Sequence, residues 1–343
     1  MILHDRTTKL PITTYGIQIP ITGSNAGRTL DYLLSREDLS ERRDTWLREE
    51  NFPPLTREAI ERVHDPAYVE RLLSEDERCD REIERTFELV NPDGTYNRYD
   101  PVTAERDLKA LRDQSLRLAA GTTRAVELAL DGRDNRAEDF WFYLGGGMHH
   151  GQYDFGEGFC PVNDLVIAVR TQQAAGRIRN AWIVDVDAHK GDGTAALTAE
   201  DPTIHTLSVH MARGWPLDQP RELPDGRPNP SWIPSDIDVP IDSGQESEYV
   251  PRLQNALVEL EEKFGVPDFL LVVDGADPYE RDQLPSAELL RMSAEQLLER
   301  DTHLYRWGRD RNLPMVFVMA GNYGYHSWEV FSAFLERQIA GEI

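Results

Sequence analysis

The sequence predicts an α/β fold, with a central, mostly parallel β-sheet and helices on both faces. Short apolar runs recur from residue 139 onward, each is followed by a polar turn, and helical stretches lie between them. Continuous apolar runs mark strands buried on both faces, as in a parallel sheet, and their alternation with helices gives the class. With 343 residues and 40% hydrophobic content, residues 1–343 are expected to form a single domain around a real core.

The elements follow in chain order. Segments 27–35, 40–50, 56–62 and 66–74 read as short helices. Segment 103–131 reads as a long helix, because Leu, Ala and Val recur there at helical spacing. The runs at 140–144, 181–187, 204–210, 269–274 and 315–321 read as strands, with helices at 162–175, 246–264 and 286–310 between or after them. The Pro-rich stretch 214–240 reads as a long surface loop near the site. No internal repeat, linker or low-complexity tract interrupts the chain.

Composition limits what the protein does. A formal net charge of −24 argues against non-specific binding to nucleic acid or anionic membrane. It suits a cationic substrate or partner, and equally a solvated acidic surface. Cys79 and Cys160 cannot build a disulfide framework. The N-terminal MILHDRTTKL lacks the apolar stretch of a secretory signal, and no apolar run is long enough to span a bilayer. A soluble, cytoplasmic protein is expected, with its oligomeric state left open.

Polar residues gather at the strand ends, where open α/β sheets bind ligands. Strand 140–144 ends in Gly145-Gly146-Gly147-Met148-His149-His150, and strand 181–187 runs into Asp185-Val186-Asp187-Ala188-His189-Lys190-Gly191-Asp192-Gly193. Strand 269–274 ends in Asp274-Gly275-Ala276-Asp277, and strand 315–321 leads into Asn322-Tyr323-Gly324-Tyr325. Alternate residues of an extended chain share a face, so Asp185, Asp187 and His189 would point together. Asp187 and His189, joined by Asp277, would make a metal site of three N/O ligands with an open position. An isolated D-x-D-x-H more often caps a helix, and an isolated His-His pair is as often a surface feature. The order and placement of all four motifs carry the argument.

In that order, with Gly158-Phe159-Cys160 and Asn163-Asp164 between the first two, the motifs resemble the histone deacetylase and acetoin-utilisation superfamily from about Asp139 to Trp328. VHDPAYV (63–69) resembles a helical segment of the same family, and the first 55 residues match poorly. The resemblance implies a single arginase/deacetylase-like domain and a zinc-dependent amidohydrolase, with iron(II) the alternative in vivo. Its substrate would be an acylated (chiefly acetylated) lysine or small amine. Asp187, His189 and Asp277 would be the metal ligands. His150 would be the general base and acid, oriented by Asp192, and His149 with Asp185 its electrostatic partner. Tyr323 would polarise the substrate carbonyl. Gly158 and Phe159 would form one wall of the acyl channel, Trp215 and Leu284 the opposite wall and rim. A K⁺ or Na⁺ ion would sit on Asp185, Asp187, His189, Ser208 and Val209, partly through backbone carbonyls.

The sequence departs from the family pattern at Lys190, where a second histidine is usual, at Pro278, and at Asn322, where the family has glycine. Tyr325 therefore stands as an alternative to Tyr323. An acetylpolyamine amidohydrolase and a binuclear-manganese ureohydrolase are same-fold alternatives. The ureohydrolase needs an aspartate two residues after the histidine and a second close aspartate pair, whereas Asp192 follows His189 by three and Asp274 precedes Asp277 by three. A catalytically silent acyl-lysine reader would need a lost base or tyrosine, and His149, His150 and Tyr323 are all present. Cys160 reads as a buried small hydrophobe. His4, His64, His205 and His303 read as structural or exposed, and His210 and His326 as candidates to line the pocket.

Overall fold

The computed structural model describes residues 1–6, 11–19, 24–135 and 138–343. Among these, eight strands form one sheet. They are β1 (Ile2–Asp5), β2 (Leu47–Glu50), β3 (Phe140–Tyr143), β4 (Ala181–Asp185), β5 (Ile204–Met211), β6 (Ile237–Ile241), β7 (Phe269–Asp274) and β8 (Met315–Met319). Their order is β2-β1-β3-β8-β7-β4-β5-β6, and every pairing is parallel.

Helices cover both faces. On one lie α1 (Asn25–Ser35), α2 (Glu37–Glu41), α9 (Tyr249–Phe264), α10 (Ala294–Asp310) and α11 (Trp328–Ala340). On the other lie α3 (Arg57–Glu61), α4 (Pro66–Leu72), α5 (Glu77–Thr86), α6 (Leu108–Asp131) and α7 (Asp164–Ala174), while α8 (Asp192–Thr198) follows the β4 end. Strand side chains alternate between the two cores. Trp182 and Val184 join the first layer, and Ala181 and Ile183 the second. Leu270 and Val272 divide likewise from Leu271 and Val273. Alternation with both faces apolar explains why these strands read as continuous runs. Among the described residues, no helix is long and apolar enough to cross a membrane.

Three expectations are corrected. Segment 40–50 is not one helix: after α2 and a 3-10 turn at Arg43–Thr45 it becomes β2. That edge strand carries Arg48, Glu49 and Glu50, and charged edge strands lack the apolar run that betrays central ones. The stretch 214–240 is a loop only in part, because its end enters β6, another edge strand, where Pro240 is tolerated. Segment 286–310 is helical only from Ala294, where Ser293 and Gln296 form a capping box. Strand β1, with helices α5, α8 and α11, is additional to the sequence reading.

Candidate active site and metal centre

Four neighbouring strands, β3, β8, β7 and β4, end side by side, and each sends one motif into the same space. The Gly-rich turn after β3 is shaped by Asp164 at the start of α7. Its carboxylate accepts from the backbone N–H of Gly147 (3.1 Å) and Met148 (2.7 Å) and from the Thr122 hydroxyl. Gly147 has φ +81°, and a Cβ there would lie 2.7 Å from Ala320 at the β8 end, so the two strand ends approach only because it is glycine.

Asp187, His189 and Asp277 come together, with one ligand atom from each within 4.8 Å of the others. His189 Nδ1 lies 3.2 Å from Asp187 Oδ1 and 3.0 Å from Asp277 Oδ2. Backbone amides fix the carboxylates: Gly321 N–H donates to Asp187 Oδ2 (2.9 Å) and Ala188 N–H to Asp277 Oδ1 (3.0 Å). The far nitrogen of His189 meets the Ser286 hydroxyl at 3.2 Å, an outer contact of the kind that sets ring orientation in metal sites. Apart from the 3.0 Å approach of His189 Nδ1, Asp277 Oδ2 meets no donor among the described residues. Burial, then the charge of Asp187, pushes the Asp277 carboxyl up to about 7. Two buried carboxylates this close repel unless positive charge lies between them, and the donor set would fit a divalent metal.

The tandem histidines are held apart in charge. His149 Nδ1 meets Asp185 Oδ2 at 2.6 Å, and His150 Nδ1 meets Asp192 Oδ1 at 2.6 Å. Their ring centroids are 3.8 Å apart. For His149, burial alone would lower the pKa, but Asp185 and Asp187 outweigh it and hold it up at about 9. For His150, burial and then the positive charge of His149 win over Asp192 and bring it down to about 4. With its Nδ1 turned to Asp192, a neutral His150 would present the lone pair of Nε2. Two adjacent groups pushed to opposite protonation states are how one site divides electrostatic and base roles.

An apolar wall stands over His150. Trp215 packs edge-on against His150 (4.4 Å between centroids) and His189 (5.7 Å). Opposite it is Gly158, with φ +55°, where a Cβ would lie 2.4 Å from Trp215 and 2.5 Å from His150. Phe159, itself at φ +67°, packs against Phe87 (5.7 Å) and Tyr323 (6.1 Å). A cavity of about 280 Å³ extends behind His149 and His150 and is lined also by Phe159, Cys160 and Tyr323. Burial, then the charges of Asp187 and Asp277, raises the Tyr323 pKa well above the ordinary phenol value, so the hydroxyl keeps its proton as a donor. Tyr325 is 52% exposed and lies under the Arg28 guanidinium, away from the carboxylates. Leu284 does not reach a rim: it is 7% exposed and packs in the core. Ser208 faces Asp185 in the β4–β5 register and accepts from Gly191 N–H (3.3 Å), and the Val209 carbonyl lies 3.5 Å from the Tyr249 hydroxyl.

The histone deacetylase domain family matches residues 25–337. The chain belongs to the histone deacetylase family. It is 30% identical over 211 residues to an uncharacterised protein of Picosynechococcus, covering 61% of this chain and 63% of that one. It is 28% identical over 220 residues to histone deacetylase 2 of Arabidopsis thaliana, covering 63% and 51%. It is 27% identical over 217 residues to the acetoin utilization protein AcuC of Bacillus subtilis, covering 62% and 52%. The matched region thus spans only about half to under two thirds of these relatives.

Around the motifs, this histone deacetylase family chain carries supports that the sequence reading did not single out. Arg300 on α10 is fully buried and donates to the carbonyls of Val186 and Gly275 (both 2.9 Å) and to Asp274 (2.6 Å) and Asp301 (2.7 Å). It thereby ties the ends of β4 and β7. Asp282 accepts from the N–H groups of Tyr323 and Gly324, both at 2.9 Å, and from the Ser327 hydroxyl. Asn25, at the first turn of α1, donates to the carbonyls of Asn322 and Gly324. His64, read as structural or exposed, is buried, bonds to the Gln152 carbonyl and accepts from Asn163 N–H. No local pattern marks these residues, because each acts across a large sequence separation. His210 bonds to the Met211 carbonyl and His326 pairs with Arg281 and Glu329; neither lines the cavity.

Proposed function

We propose that this protein is a zinc-dependent amidohydrolase that removes an acyl group, acetyl by preference, from an acylated lysine or a small acylated amine. One observation carries the reading: two adjacent histidines, each bonded through Nδ1 to its own buried carboxylate at 2.6 Å, stand beside a group of two carboxylates and an imidazole. Asp187, His189 and Asp277 would hold the ion, and zinc or iron(II) suits such donors. When bound, it supplies Lewis acidity toward the amide carbonyl and makes water a better nucleophile at neutral pH.

His150 Nε2 takes a proton from the attacking water and later gives it to the amine nitrogen as the C–N bond breaks. Asp192 keeps the other proton on Nδ1 throughout. The charged His149 favours the negative charge that grows on the former carbonyl oxygen. The Tyr323 hydroxyl donates to that oxygen, a contribution of roughly 3 kcal/mol for one such donor. Phe159 and Trp215 would enclose an aliphatic stem such as that of lysine. A K⁺ or Na⁺ ion on Asp185, Asp187, His189, Ser208 and Val209 would offset the remaining buried negative charge. The binuclear-manganese alternative finds no support, since Asp274 is committed to Arg300. Both cysteines are free and buried, which suits a reducing cytoplasm.

Exhaustive chelation should abolish hydrolysis of an acetyl-lysine reporter, and zinc, iron(II) or cobalt(II) should restore it. His150→Ala should keep its metal and lose about 10²–10⁴-fold in turnover, whereas Asp187→Ala should lose metal and activity together. Full activity in demonstrably metal-free protein, or near-normal turnover by His150→Ala, would overturn the reading. Among the described residues no carboxylate lines the cavity, so none there pairs with a second ammonium group. Acetyl-lysine should therefore be favoured in kcat/KM over acetylspermidine and acetylputrescine, and the reverse order would make the protein an acetylpolyamine amidohydrolase.

A further inference from the structure

A second carboxyl group stands behind the His150–Asp192 pair. The Gln152 carboxamide nitrogen donates to Asp192 Oδ2 at 2.9 Å and to Glu157 Oε1 at 2.8 Å. Glu157 Oε1 also accepts from the Ser231 hydroxyl at 3.3 Å. Asp192, in turn, aims the His150 imidazole. A continuous chain of hydrogen bonds therefore runs from Ser231 through Glu157, Gln152 and Asp192 to His150.

We propose that Glu157 is a positioning residue of the acid–base dyad: through Gln152 it fixes the Asp192 carboxylate, and with it the tautomer and aim of His150. Each carboxamide hydrogen has one acceptor, so removing Glu157 frees Gln152 to rotate away from Asp192. The other face of Gln152 offers no substitute restraint, because its side-chain oxygen has no hydrogen-bond partner among the described residues. The titratable groups around Glu157 are few. Asp192 and His150 lie on the dyad side. Cys160 is bridged to Glu157 through the backbone. His64 holds the Gln152 carbonyl. Lys190, whose ammonium donates to the Ser231 and Ile233 carbonyls, lies beyond Ser231 with Asp238 at 3.9 Å. Burial, then the charge of Asp192, pushes the Glu157 carboxyl up to about 8, while Asp192 is held below the usual carboxylate range by His150 against its own burial. Near neutral pH Glu157 is thus the neutral member and Asp192 the anion. Two carboxylates sharing one amide, Asp192 buried and Glu157 half-buried, settle into that division because both cannot ionise cheaply. When Glu157 ionises, a second negative charge reaches His150 through one amide group.

The inference rests on the acid–base reading of His150, and its test separates the two. Zinc-loaded protein with isotopically labelled histidine is titrated by NMR, and His150→Ala identifies the His150 ring signal. Because His149, 3.8 Å away and held up at about 9, also moves that signal in alkali, the parent should show two inflections, one of them near 8 from Glu157, and Glu157→Gln only the His149 one. With acetyl-lysine reporter, Glu157→Ala should lose about tenfold or more in kcat with KM little changed and zinc content intact. Glu157→Gln, which keeps the acceptor oxygen, should recover most of that loss. The same two inflections in Glu157→Gln as in the parent, or a Glu157→Ala variant with parental kcat, would overturn the proposal. Should the parent hydrolyse no acylated amine, the acid–base reading would fall, and the titration would still decide whether Glu157 and His150 are linked.

Discussion

Tyr323 and Tyr325 are two residues apart and chemically identical, yet they sit in opposite surroundings. Tyr323 is packed against Phe159 beside the Asp187 and Asp277 carboxylates, and its backbone is anchored by Asp282. Tyr325 faces solvent under Arg28. If the Tyr323 hydroxyl donates to the carbonyl oxygen, its removal costs one donor in the transition state. Tyr323→Phe should then lose on the order of a hundredfold in kcat while keeping zinc and substrate affinity. Tyr325→Phe should stay within about threefold, as surface changes away from a site usually do. Steady-state kinetics with metal analysis on both variants decides it, and the opposite ranking would move the donor role to Tyr325. The sequence left this pair open because Asn322 breaks the glycine run that would set the register.

At the scale of elements, the central strands β3, β4, β5, β7 and β8 were legible because burial on both faces writes them as apolar runs. Strands β1, β2 and β6 were not, being short or at an edge and carrying charges or proline. The same contrast holds in the site. Residues placed by local spacing, such as Asp187, His189 and the tandem histidines, could be named in advance. Arg300 could not, since it joins α10 to two strand ends 114 and 25 residues away. Its guanidinium holds the carbonyl directly before Asp187 and the one two residues before Asp277, so it should control how well those side chains converge. Arg300→Met would also strand Asp274 and Asp301 as buried unpaired carboxylates, costing about 3–5 kcal/mol. Adding Asp274→Asn and Asp301→Asn should recover much of that stability in urea denaturation. Zinc affinity, measured by chelator competition, should remain about tenfold or more below the parent. Parental zinc affinity in the triple variant would show that Arg300 serves stability alone.

For the whole molecule the controlling quantity is charge. Acidic residues number 61 against 37 basic, giving a net −24. Many of the acids are paired at the surface, as in Arg36–Glu336, Arg281–Glu329 and Arg311–Glu261. Salt acts in two opposing directions on such a surface. It weakens exposed pairs, each worth about 0–1 kcal/mol, and it screens the mutual repulsion of the excess acids, which opposes the compact state. The acidic excess is large, while the pairs are local and already hydrated, so screening of repulsion should win. The Debye length falls from about 30 Å at 0.01 M to about 3 Å at 1 M, and over that range the thermal midpoint should rise by several degrees. Tetramethylammonium chloride screens as well as KCl or NaCl but is too large for a site between Asp185, Ser208 and Val209. A rise common to all three salts is the screening effect. An additional rise with K⁺ or Na⁺ alone, saturating at low concentration, is occupancy of that site. A midpoint that falls with every salt would mean that the surface ion pairs, not the repulsion between unpaired acids, dominate the stability of the fold.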